Sequence, residues 1–288
     1  MSYFRILLAV MCVLFCYAPA KAEEIMTVKT ETFEMDYFKF GHGRKNFVII
    51  PGVSVQSVMK SAQAISDSYK ILTEDFTVYV MDRRKDIPPS YSVYDMARDT
   101  AEALRALNLD NVYIFGASQG GMIAMKIAID NPELVKCLIL GSTSARLSKE
   151  DFKVFEDWIK LAKSGNAEKL YLSFGEKLYP KSVFEKIRGV LIESAKTVTA
   201  EELKHFIIIV EGGIGFDVVD DLEKISCPVL IIGAKDDEML DSNASAQIME
   251  HLSGKTFCEL FIYDGYGHAA YDVAPDYKER ILKFADQF

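Results

Sequence analysis

The apolar residues of this chain fall into short unbroken runs separated by longer stretches of helical period. Phe47-Val48-Ile49-Ile50, Val78-Tyr79-Val80-Met81, Asn111-Val112-Tyr113-Ile114-Phe115 and Cys137-Leu138-Ile139-Leu140-Gly141 are such runs, as are Val229-Leu230-Ile231-Ile232-Gly233 and Leu260-Phe261-Ile262-Tyr263. Runs of this length, rich in β-branched and aromatic side chains, read as strands, and those from Phe47 and from Asn111 as buried ones. Between them, Ser57 to Tyr69, Asp95 to Leu107, Met122 to Ile129, Ser242 to Leu252 and a last segment from Pro275 read as helices. Met26 to Phe40 instead alternates, as one or two antiparallel strands would, before a Gly41-His42-Gly43 turn. Strand alternating with helix predicts an α/β fold, a parallel sheet with helices on both faces.

The alternation lapses after Gly141. From Ser148 to Gly213 only helical signals occur, and three segments have capping-box form: Ser148-Lys-Glu-Asp151, Ser182-Val-Phe-Glu185 and Thr199-Ala-Glu-Glu202. Phe152, Phe155, Trp158, Ile159 and Ala162 share one helical face, as do Leu203, Phe206, Ile207 and Val210. The reading is an all-helical insertion, with the sheet resuming at Val229. The division expected is residues 23–142 and 223–288 for the core and 143–222 for the insertion.

One stretch carries chemistry. Gly116-Ala117-Ser118-Gln119-Gly120-Gly121 joins a buried strand to a helix, so Ser118 sits on a sharp turn with glycines on either side. This is the form of a nucleophile elbow, G-x-S-x-G. A serine needs a base, and the base an orienting acid. Of the four histidines, His42 lies in an early turn, His205 in a helix of the insertion and His251 in a surface helix; structural or solvated roles suit these three. His268, in Asp264-Gly-Tyr-Gly-His268, follows the last strand, and loops at the carboxyl ends of parallel strands converge on one site. The acid is expected in Gly233-Ala-Lys-Asp236-Asp237-Glu238, after the preceding strand. Neighbouring side chains diverge, so only one of the two aspartates can serve. The N–H of Gln119, first in its helix, suits one half of an oxyanion hole.

From about Ile25 to Phe288 these motifs, in the order Ser118, Asp, His268, resemble those of the α/β-hydrolase superfamily. The resemblance implies a mostly parallel eight-stranded sheet with a helical cap inserted after the sixth strand. Relatives place the acid three residues after the glycine that ends the strand, which selects Asp236. They place the second oxyanion donor after the strand ending at Ile50, where the residue following Pro51-Gly52 is Val53. Asp82-Arg83-Arg84 stands where relatives have a charged turn, and for Arg83 a structural ion pair is expected over a substrate carboxylate. The superfamily performs several reactions on one fold. A carboxylic ester of a small apolar molecule is the first expectation. Thioester, lactone, peptide and carbon–carbon substrates are alternatives, as is ligand binding without catalysis. The resemblance implies no cofactor and no metal.

Composition narrows the setting. The 288 residues are 50% hydrophobic and 26% charged, as one globular domain with an insertion would be. A net charge of −9 disfavours nucleic acid and anionic membranes as partners. Arg5, the apolar Ile6 to Tyr17 and the small residues Ala18-Pro19-Ala20-Lys21-Ala22 have the form of a secretory signal peptide over residues 1–22, cleaved after Ala22. The expected setting is secreted or periplasmic, with an N-terminal anchor as the alternative. Cleavage removes Arg5 and Lys21, two positive charges and no negative ones, deepening the net charge to −11. It leaves Cys137, Cys227 and Cys258, each at the start of an apolar run, expected as buried thiols.

Overall fold

Eight strands form one sheet in the order β1-β2-β4-β3-β5-β6-β7-β8. In chain order they are β1 (Met26–Lys29), β2 (Glu34–Gly41), β3 (Lys45–Ile50), β4 (Phe76–Arg84), β5 (Val112–Ala117), β6 (Val135–Gly141), β7 (Val229–Ala234) and β8 (Cys258–Tyr263). β2 runs antiparallel to both of its neighbours, and every pairing from β4 to β8 is parallel. The structure, a computed structural model, describes residues 23–147, 149–252, 254 and 257–288; the signal-peptide reading and Ser148 lie outside the described residues.

The continuous apolar runs follow from covering both faces. Val48, Ile50, Ile114, Leu138, Leu140 and Ile231 point into one core. It is closed by α2 (Val93–Ala106), α3 (Gln119–Asp130) and α8 (Ala244–Leu252). The alternate residues Phe47, Ile49, Phe115, Ile139 and Ile232 point into a second core, under α1 (Ala62–Ser68) and α10 (Tyr277–Ala285). The period of two assigns each residue to its face.

Between β6 and β7 the chain forms α4 (Lys149–Lys163), α5 (Ala167–Leu178), α6 (Lys181–Ala195) and α7 (Ala200–Glu211). Their apolar faces make a third core, in which Trp158 stacks on Phe174 at 3.8 Å and Phe174 meets Phe206 at 5.7 Å. Val55, Met239, Leu240 and Ala269, from loops at the carboxyl edge of the sheet, join this core and seat the helices over that edge. The short α9 (Ala270–Val273) lies beside them.

Local details depart from the sequence reading for physical reasons. β4 continues through Asp82-Arg83-Arg84, because β2 extends the ladder on its other side as far as the Met35–Arg84 pair. The Thr199–Glu202 capping box forms, whereas α6 begins at Lys181 behind Pro180, which leaves Ser182 inside the helix. The helix expected from Ser57 to Tyr69 is broken into a 3-10 turn, Val58–Ser61, followed by α1. Cys137 is buried, but Cys227 and Cys258 are only half-buried; Cys258 opens β8, the edge strand.

Candidate active site

Ser118 is the residue between β5 and α3, and it holds φ 53° and ψ −123°, a conformation that costs a non-glycine residue about 1–3 kcal/mol. Three contacts hold it there. Its N–H donates to the Gly141 carbonyl at 2.8 Å, its own carbonyl accepts from Thr143 Oγ1 at 2.7 Å, and the turn packs against the end of β3. That packing explains Gly120: a Cβ there would lie 2.0 Å from the Ile50 carbonyl oxygen. It also brings the loop after β3 alongside the serine, since a Cβ on Gly52 would stand 3.0 Å from Ser118 Cβ. Pro51-Gly52-Val53 and the start of α3 thus flank Ser118. Gln119 opens α3, where an N–H has no acceptor one turn back.

His268 lies in the loop after β8, 1% exposed. Its Nδ1 is 2.8 Å from Oδ2 of Asp237, not of Asp236. The Asp237 side chain is 6% exposed, and its Oδ1 accepts from the N–H groups of Met239 at 2.7 Å and Leu240 at 3.1 Å. Burial by itself would raise its pKa; the attraction and hydrogen bond of His268, with the two N–H groups, outweigh burial and hold the carboxyl below its ordinary value. Asp236 points the other way. Its two oxygens accept from the N–H groups of Gly265 at 3.1 Å and Gly267 at 3.0 Å, which braces the loop that carries His268. Both glycines have positive φ, 84° and 67°, so the loop turns tightly enough to present those N–H groups to one carboxylate. Counting from Gly233 therefore selects the aspartate that orients the loop. The one that orients the imidazole is its neighbour.

One small space borders Ser118 directly, and a larger one is lined by its neighbours. A cavity of about 20 Å³, room for one water, lies between Ser118, Gln119 and Val53 on the sheet side and Phe155, Val210 and Leu240 above. A larger one of about 240 Å³ reaches from Gly52, Val53 and Ala117 to Phe174, Leu178 and Leu191 of the inserted helices. Its wall is mostly apolar. The polar exceptions include the Asp272 carboxyl and the Tyr179 hydroxyl, neither singled out by sequence.

A sequence model of the family described as alpha/beta hydrolase fold matches residues 50–275. The chain belongs to this family. It is 27% identical over 249 residues to a protein of Rhizobium rhizogenes named "Putative carbamate hydrolase RutD", a match covering 79% of this chain and 91% of the relative. A protein of the same name from Agrobacterium fabrum is 26% identical over 231 residues, covering 78% and 87%. Among solved structures, an alpha/beta hydrolase enzyme from a Medee basin deep-sea metagenome library superposes with a TM-score of 0.80 at 22% identity, covering 91% of this chain and 98% of that one. The enol-lactonase of Burkholderia xenovorans gives 0.76 at 14% identity, covering 91% and 100%. The protein is a hydrolase enzyme with the alpha/beta hydrolase fold.

Among the described residues of this hydrolase, Arg83 has no carboxylate within ion-pair distance, unlike the pair expected of it. It is 7% exposed, and its Nη2 donates to the Pro51 carbonyl at 2.9 Å and to Gln119 Oε1 at 3.3 Å; Gln119 Nε2 donates in turn to the Ile209 carbonyl at 2.8 Å. The ion pair belongs to Arg84, with Asp99 at 3.4 Å. Arg83 therefore ties the loop after β3 to the start of α3, the two segments that flank Ser118. His42 and His205 lie 3.6 and 4.0 Å from surface glutamates, and His251 Nδ1 lies 2.8 Å from the Gln247 carbonyl. Among the described residues no group of three His, Cys, Asp or Glu side chains is gathered as a metal would need.

Proposed function

We propose that this hydrolase is an exported serine hydrolase that acts through an acyl-enzyme on a small carboxylic ester with a largely hydrocarbon chain. Ser118 on its strained turn, at the same sheet edge as the buried His268–Asp237 pair, is the observation that carries the reading. Ser118 Oγ attacks the acyl carbon while His268 Nε2 takes its proton. Asp237 holds the other ring nitrogen protonated and stabilises the imidazolium that forms. The N–H groups of Gln119 and Val53 receive the oxyanion. The imidazolium then protonates the departing alcohol. Water, deprotonated by the same nitrogen, attacks the acyl-enzyme; the bond from the acyl carbon to Ser118 Oγ breaks, the imidazolium returns its proton to Oγ, and the acid is freed. A carbamate, the class in the relatives' names, would undergo the same attack at its carbonyl; the apolar wall of the 240 Å³ cavity favours an ester.

Treating the purified chain with a fluorophosphonate should label Ser118. Hydrolysis of p-nitrophenyl esters of graded chain length should be faster than that of a matched carbamate. Failure of folded protein to label at Ser118 would remove the catalytic reading and leave ligand binding. Export is tested separately: the N-terminus of secreted or periplasmic material should begin near Glu23, and full-length chain held in the membrane would sink that part.

A further inference from the structure

The lining of the 240 Å³ cavity includes an acid, Asp272. Asp272, the third residue of α9, stands four positions after His268, and Oδ2 accepts a hydrogen bond from Tyr179 at 2.8 Å. Tyr179 follows α5 of the inserted helices, so the acid is set where those helices meet the loop that carries the base. The tie is reinforced by the Ala269 N–H, which donates to the Leu178 carbonyl at 2.9 Å. Asp272 is half-buried and lines the cavity, and no hydrogen bond reaches Oδ1 among the described residues. Burial drives its pKa above the ordinary value, and the nearby charges of Lys278 and His268 with the Tyr179 hydroxyl offset this only in part. Both cations have other bonds: the Lys278 amine donates to the Tyr271 carbonyl, and His268 is bound to Asp237. Lys60, the cation on the cavity wall, is paired with Glu202 at 2.6 Å. A half-buried acid that lines an apolar chamber and keeps one oxygen clear of hydrogen bonds among the described residues is complementary to a cation on a hydrocarbon stem.

We propose that Asp272 determines specificity by receiving, in this cavity, a protonated amino group on the hydrocarbon chain of the substrate. This rests on the reading of the cavity as the chamber for that chain. The substrate class becomes an ester with an aminoalkyl group, held by the apolar wall along its methylenes and by Asp272 at its end. A neutral donor such as a hydroxyl could take the hydrogen bond but would bring no opposite charge, so the ammonium is preferred.

The chain's single tryptophan provides a reporter, because Trp158 stacks at 3.8 Å on Phe174, which lines the cavity. Pentylammonium and 1-pentanol, titrated at pH 7 against Trp158 fluorescence, should differ at least tenfold in affinity in favour of the ammonium. Asp272→Asn should weaken pentylammonium at least tenfold and change 1-pentanol less than threefold. Equal affinities in the wild type, no binding of the ammonium, or an equal loss for both ligands in the variant would each overturn the proposal. If the variant does not fold, the wild-type comparison decides alone. Fluorophosphonate labelling of Ser118 separates the two readings. Ammonium binding without labelling keeps the amine site and removes the serine chemistry; labelling without ammonium binding does the reverse.

Discussion

Replacing Asp237 by Asn should disable this enzyme while leaving it folded, and replacing Asp236 should do much less. Asp237 uses Oδ1 for two backbone N–H groups and Oδ2 for His268 Nδ1. In the Asn variant the remaining carbonyl oxygen keeps the two N–H groups. The amide nitrogen then faces the imidazole, and being a donor it requires a lone pair on Nδ1. The ring proton moves to Nε2, where it blocks acceptance of the Ser118 proton. In serine proteases the corresponding Asp→Asn exchange costs about 10⁴ in turnover, so kcat should fall about 10³–10⁴-fold, or about 4–5.5 kcal/mol of barrier. Asp236→Asn keeps one of the two acceptors that brace Gly265 and Gly267. Losing one such hydrogen bond costs about 1 kcal/mol of loop order, which translates to less than about tenfold in kcat. Both variants should be assayed beside wild type on p-nitrophenyl butyrate, with circular dichroism to check folding. An inactive Asp236→Asn beside a nearly normal Asp237→Asn would refute the reasoning. Two nearly normal variants would remove this loop from the chemistry.

Gly120→Ala drives a Cβ to within 2.0 Å of the Ile50 carbonyl, so the elbow or β3 must move; stability should fall by about 3 kcal/mol, read as a lower urea midpoint. Arg83→Met removes the hydrogen bonds to Pro51 and Gln119 and should lower kcat about 10–100-fold with a smaller change in KM, because it loosens the segments that carry the proposed oxyanion donors. Asp272→Asn should raise the melting temperature at pH 7. The folded-state pKa of Asp272 is above its unfolded value, so its contribution is fully present below the unfolded pKa and is lost as pH rises through the folded one; the advantage of Asn should therefore grow from pH 4 upward. Asp237 has the opposite sign: its depressed folded-state pKa stabilises the protein above the ordinary carboxylate value of 3.8 and that stabilisation is lost as pH falls further, so Asp237→Asn should show a smaller acid-induced loss in thermal melts.

The apolar pattern by itself determined the sheet. Strands covered on both faces must be apolar at every position, and β5 and β7 are buried throughout, which is why their runs could be read without knowing their partners. The sharp turn at Ser118 was legible for a similar local reason: only glycine fits where the backbone of α3 meets the end of β3. Where a residue's role depends on contacts with distant segments, the local sequence did not decide it. Asp236 and Asp237 are equivalent in composition and adjacent in position; the N–H groups of Gly265 and Gly267 claim the first, so the second reaches His268. Arg83 is an ordinary charged residue until β2 extends the ladder past it and the turn after β5 buries its guanidinium against Gln119. Asp272 and Tyr179 are 93 residues apart and meet because the inserted helices fold back onto the loop after β8. Periodicity records which side of an element is buried. It holds no record of which distant polar atom will be waiting there, because that is set by the packing of whole elements against one another.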